Sequence, residues 1–312
     1  MPRLIVSTLG VLLAAASLAA VAAVAVSADT DHAVPAAPMK LADYMALGGP
    51  APSATFAYGA APSQYAELFL PAGKGPFPVA VLVHGGCWTK EFGGIAQLRN
   101  LAGALAAQGI AAWNVEYRRV DEAGGGYPGT YQDMNAALAT LAAQARRYPL
   151  DLERLVAVGH SAGGQLAQWM AGRARIPASS PLAAPASPQV RRVVSLGGLA
   201  DLRREAALIK SSCGRDLVQL AGTPGPARPD VFVDTNAAEL LPNGSRTVLV
   251  TGELDKVSPP RVAHDYAQRA RAAGDAAEVV ILPGASHYDE VAASSASWPR
   301  VLAAIRAALA AE

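Results

Sequence analysis

The chain is poor in aromatic residues, 6% of 312, and in charge, 16%, and neither sign of charge is in excess, with 26 Lys and Arg against 25 Asp and Glu. No basic run is interleaved with aromatics, which argues against nucleic acid as a partner. The chain has no internal repeat, so a solenoid or propeller is not expected. Long hydrophobic runs are also scarce. More than half the residues are hydrophobic, but much of that share is alanine, which does not suit a multi-span membrane protein. Cysteine is limited to Cys87 and Cys213. No second thiol lies near either one, so no metal site is expected, whereas an oxidising compartment would let the two form a disulfide.

The one run that could enter a bilayer is N-terminal. Arg3 precedes an uncharged stretch from Leu4 to Val26, closed by Ser27, Ala28 and Asp29. The small residues Val26 and Ala28 suit signal peptidase, so residues 1–28 read as a secretory signal peptide. The run also reaches the roughly 20 residues needed to span a membrane, which keeps an uncleaved signal anchor open. Either reading places the rest of the chain outside the cytoplasm, periplasmic or secreted, with membrane contact only if the anchor is retained.

Residues 29–62 are rich in Ala, Pro, Gly and Ser, with prolines at 35, 38, 50, 52 and 62, and are expected to form a linker or arm without regular structure. From residue 63 on, short apolar runs alternate with segments of helical spacing. The runs Tyr65 to Leu70, Val79 to Val83, Ala111 to Tyr117, Leu155 to Val158, Val193 to Leu196, Thr247 to Thr251 and Val279 to Leu282 are predicted strands. The segments Ile95 to Gln108, Tyr131 to Arg147, Ala162 to Gly172, Pro259 to Ala273 and Trp298 to Ala311 are predicted helices. Such alternation implies an α/β fold with a mainly parallel sheet covered on both faces. The less regular stretch 201–243 is expected to be a small cap over the site.

Acyl transfer by a serine needs a base to take the hydroxyl proton and donors to hold the oxyanion. Gly159-His160-Ser161-Ala162-Gly163 follows a predicted strand and opens a predicted helix. That is the setting a nucleophile elbow requires, with Ser161 as nucleophile. Upstream, His84-Gly85-Gly86-Cys87-Trp88 directly follows a strand, where the backbone N–H groups of Gly86 and Cys87 could join that of Ala162 as an oxyanion hole. Downstream, the chain order Ser, Asp, His that the fold demands is met by Asp255, with Glu253 its nearest rival, and by His287. Of the other histidines, His32 lies in the leader and His84 suits a structural hydrogen bond. The His160 side chain is expected to point away from substrate, and His264 lies on a predicted helix facing solvent.

These segments resemble the esterase/lipase branch of the α/β-hydrolases that contains kynurenine formamidase-like and ferulate-esterase-like enzymes. His84-Gly85-Gly86-Cys87-Trp88 looks like the HGGxW loop of that branch. Trp113-Asn114-Val115-Glu116-Tyr117-Arg118-Arg119 is similar to its next strand, and Tyr127-Pro128-Gly129-Thr130 with Gln132-Asp133 to its next helix start. The resemblance spans about residues 63–312 and implies hydrolysis of a small carboxylic ester or aryl formamide with no cofactor. Two alternatives stay open: a peptidase of the prolyl-oligopeptidase type, which lacks its propeller here, and a catalytically silent binding module.

Overall fold

The computed structural model describes residues 1–2, 37–185 and 188–310. Contacts divide the chain into a unit over Met1–Pro35 and one over Ala36–Glu312, and the fold is that of the second. The segment read as a signal peptide lies outside the described residues, apart from its first two. Among the described residues, no helix is long and apolar enough to cross a membrane.

In chain order the elements are α1 (Leu41–Met45), β1 (Ala54–Ala57), β2 (Tyr65–Phe69), β3 (Phe77–Val83), α2 (Arg99–Ala107), β4 (Ala111–Val115), α3 (Gly129–Gln144), β5 (Leu150–His160), α4 (Ala162–Gly172), β6 (Arg192–Leu196), α5 (Ala206–Cys213), α6 (Val218–Ala221), β7 (Arg246–Gly252), α7 (Pro260–Ala273), β8 (Ala276–Leu282) and α8 (Trp298–Ala310). The strands form one eight-stranded sheet in the order β1-β2-β4-β3-β5-β6-β7-β8. β1, β2 and β4 pair antiparallel, and every pair from β4 to β8 is parallel.

Alternation along β3 shows how the sheet divides the core. Val79, Val81 and Val83 belong to one buried cluster and Ala80 and Leu82 to the other, as the period of two requires. The first cluster takes its cover from Met134 and Leu138 of α3, Leu166 and Trp169 of α4, and Tyr266 of α7. The second is closed by Leu101 and Leu105 of α2 and by Val301 and Ile305 of α8. Each fully buried Val or Leu contributes about 1.5–3 kcal/mol, so a central strand with apolar residues on both faces is held in a single register. That register sets the height at which each strand ends, and therefore where the loops meet.

The stretch 29–62 departs from expectation over its described part. Prolines flank but do not interrupt two short elements, α1 and β1. β1 pairs with β2 from Ala54 opposite Leu68 to Ala57 opposite Tyr65, and Tyr44 of α1 is buried. With five and four residues these elements carry no readable periodicity, and burial against the rest of the domain stabilises them. β5 is also longer than its apolar run. Leu150 and Asp151 pair with Phe77 and Pro78, and the register then shifts between Pro78 and Val79, which pairs with Leu155, so that residues 152–154 are passed over. Between β6 and β7, residues 201–243 fold as α5, α6 and a 3-10 turn at Ala237–Leu240, with Leu202, Ile209 and Leu220 packed into the first cluster.

Candidate active site

β5 runs directly into α4, and the single residue between them is Ser161, at φ 54° and ψ −120°. A non-glycine residue with positive φ is strained, and such strain persists where surrounding contacts over-determine it. Here Ser161 N–H donates to Leu196 O on β6 at 2.8 Å, and the glycines on either side let strand and helix close up. A Cβ on Gly159 would stand 2.1 Å from Gly163 O, and one on Gly163 would stand 2.1 Å from Val83 O. The spacing of the motif is thus a steric requirement.

The loops after β7 and β8 meet beside this turn. Asp255 Oδ2 is 2.7 Å from His287 Nδ1, and Asp255 Oδ1 accepts the N–H groups of Val257 at 2.7 Å and Ser258 at 2.8 Å. Both residues are buried. Glu253 is placed elsewhere, its Oε2 accepting Gly284 N–H at 2.9 Å near the surface. Ser161 and His287 line one cavity of about 120 Å³. Among the described residues no hydrogen bond joins Ser161 Oγ to the ring. Catalytic hydrogen bonds are often long before substrate binds.

The loop after β3 forms another wall of that cavity. Gly86, Cys87 and Trp88 all have positive φ, 103°, 52° and 56°. Among the described residues no oxygen accepts the N–H groups of Gly86, Cys87 or Ala162, so these donors are free to take an oxygen from a ligand. The loop is fastened at several points. Thr89 N–H donates to Gly86 O and Val120 N–H to Trp88 O, each at 2.8 Å. Cys87 is disulfide-bonded to Cys213, the last residue of α5, with their Cα atoms 5.5 Å apart. At the base of the loop, His84 places Nε2 2.7 Å from Glu116 Oε1 and Nδ1 2.7 Å from Gly85 O, and stacks on Tyr117. Burial alone would raise the Glu116 carboxyl, but His84, Arg119 and the Tyr117 N–H outweigh it and hold the pKa at about 2.

Two histidines remain within the described residues. His264 is exposed on α7. His160, expected to point away from substrate, instead lines the cavity. Its Nε2 is 3.0 Å from His287 O and its ring centroid 4.6 Å from that of His287. The first cause lowering its pKa is burial, followed by the charge of His287. The β8 loop packs against the end of β5 on this side and keeps the ring buried. Sequence reasoning also missed Leu41 and Tyr44, which α1 brings into the cavity wall, and Tyr288 and Glu290 beside His287. Leu41, Tyr44 and Met45 do lie at i, i+3 and i+4, but one turn of helix is too short for that spacing to stand out. Glu290 gave no signal at all, since its burial depends on contacts 38 residues away.

With this geometry in view, the sequence matches the family model BD-FAE over residues 66–270. The chain belongs to the BD-FAE family. This is an esterase family of the α/β-hydrolase fold, and this chain is a hydrolase acting on esters. Solved structures share the fold. Esterase B from Lactobacillus rhamnosis, in a complex with a tributyrin phosphonate, superposes with a TM-score of 0.69 at 20% identity, covering 84% of this chain and 88% of that one. A bacterial heroin esterase gives 0.63 at 25% identity, covering 83% and 84%. A bifunctional GH43-CE protein of Bacteroides eggerthii gives 0.66 at 21%, and this chain spans only 38% of its length. No curated protein matches the sequence.

Proposed function

We propose that this BD-FAE protein hydrolyses small carboxylic esters through an acyl-enzyme on Ser161. The observation that carries the reading is the strained Ser161 sharing a cavity with a His287 already bonded to Asp255. His287 Nε2 takes the proton from Ser161 Oγ as the Oγ–carbon bond forms and the ester carbonyl becomes an oxyanion. The free N–H groups of Gly86, Cys87 and Ala162 suit that oxyanion. Collapse breaks the carbon–oxygen bond to the alcohol, which leaves with the proton from His287. Water then attacks the acyl-enzyme, gives its proton to the same nitrogen, and releases the acid with Ser161 restored. Asp255 orients the ring throughout by accepting from Nδ1.

A cavity of about 120 Å³ edged by Leu41, Tyr44, Phe92 and Tyr288 favours a short acyl chain. The disulfide between Cys87 and Cys213 supports the reading that the domain works outside the cytoplasm. The test is a panel of p-nitrophenyl esters from acetate to decanoate, with N-formylkynurenine and an aminoacyl amide alongside. Acetate to butyrate should turn over fastest, and Ser161→Ala should lose about a thousandfold or more of that rate. Undiminished turnover in the folded variant contradicts the assignment. Preference for the formamide or the amide would move the substrate class.

A further inference from the structure

Glu290 takes no part in the acyl transfer above, yet its carboxyl lies at the centre of the machinery. It is 1% exposed. Oε1 accepts the Gly252 N–H at 2.7 Å, while Oε2 is buried and receives no donor among the described residues. The space around Oε2 exists because residue 197 is a glycine. A Cβ there would stand 2.4 Å from Glu290 Oε2 and 2.8 Å from His287 Nδ1. His160, His287 and Glu290 each bring one nitrogen or oxygen within 4.8 Å of the others.

The groups facing this carboxyl are Asp255 from the β7 loop, Asp289 and His287 from the β8 loop, and His160 from β5. Asp255 is within hydrogen-bonding reach of Glu290. Three donors already serve Asp255, from Val257, Ser258 and His287, and three serve Asp289, from Met39, Ser286 N–H and Ser286 Oγ. No lysine or arginine is among these neighbours. A second ionised carboxylate here would bury a charge with one oxygen unserved beside an existing negative charge, and each of these is costly. Burial first, then the charge of Asp255, push the Glu290 carboxyl well up, against the pull of the Gly252 N–H. A proton on Oε2 removes both costs and supplies a fourth donor to Asp255.

We infer that Glu290 is a neutral carboxylic acid whose O–H donates to Asp255, a positioning residue that fixes the carboxylate behind His287. The inference rests on reading Asp255 and His287 as acid and base. Infrared spectra of the resting full-length enzyme at pH 8 should show the carbonyl stretch of a protonated carboxylic acid, and Glu290→Gln should lose it. This measurement needs no turnover, so it stands apart from the Ser161→Ala test of the triad itself. In kinetics, Glu290→Gln keeps a donor toward Asp255 and an acceptor for Gly252. It should turn over within about threefold of the parent, with the acid limb of kcat/KM unmoved. Glu290→Ala should lose about tenfold or more in kcat, a loss that Gln rescues. Absence of the band from the parent overturns the inference. So does a shift of the acid limb by about one pH unit or more toward acid in Glu290→Gln, the mark of removing an ionised neighbour.

Discussion

Two carboxylates compete for the same role by sequence, and one contact separates them. Asp255 and Glu253 both follow β7 within three residues of its end, and nothing in their spacing decides between them. In the structure Asp255 reaches His287 at 2.7 Å with its other oxygen held by two backbone N–H groups, whereas Glu253 ties Gly284 near the surface. Asp255→Asn is therefore expected to lower kcat by about 10⁴-fold near neutral pH, because an amide can favour the wrong imidazole tautomer. Glu253→Gln should stay within about twofold by the same assay. Equal losses in the two variants would contradict this division of roles. Ser161, Asp255 and His287 were legible because the fold assigns them to the ends of particular strands. Tyr44 and Glu290 were not, since a tyrosine in an arm and a glutamate three residues after a histidine acquire meaning only from what buries them.

At the scale of elements, the loop after β3 and the helix α5 are joined by a bond that sequence left open. Cys87 stands in the loop after β3 with positive φ, and its tether to Cys213 spans a sequence separation of 126. Closing a loop of that size restricts the unfolded chain by up to about 5 kcal/mol. The same bond holds a loop residue of positive φ in place, whose N–H is a proposed oxyanion donor. Cys213→Ser should thus lower stability by about 2–5 kcal/mol in denaturant unfolding. It should also reduce kcat about tenfold or more at temperatures where the domain stays folded. Full kcat after complete reduction, verified by thiol titration, would show that the loop keeps its shape unaided. α1 and β1 mark the limit of pattern reading at this scale. Prolines at 50, 52 and 62 signal irregularity correctly at their own positions, but four residues between them still add an edge strand, because β2 offers a free edge to pair with.

For the whole molecule, the parallel order from β4 to β8 was legible because apolar runs buried on both faces leave few other arrangements. The first residues of β5 were hidden by the polar side chains of Asp151, Glu153 and Arg154, which lie at the more exposed start of the strand. The buried charges also fix how stability follows pH. Glu116 has its carboxyl lowered from an ordinary 4.5 to about 2. Its contribution is present above the unfolded value and is lost as pH falls through the folded one, and it is on the order of 3 kcal/mol. The stability gap between the parent and Glu116→Gln should shrink as pH falls from about 4.5 to 2. A gap unchanged by acid would mean the carboxyl is not held ionised. Glu290, raised by burial and then by Asp255, has the opposite slope. Its contribution is complete below the unfolded value and fades as pH rises through the folded one.

Covalent capture tests whether Ser161 carries the acyl group. A fluorophosphonate ester incubated with the full chain should inactivate it at one label per molecule, and peptide mass spectrometry should place the adduct on Ser161. Prior saturation with a short-chain ester should slow the labelling. An adduct on a different residue, or complete loss of esterase activity with Ser161 unmodified, would rule out Ser161 as the nucleophile.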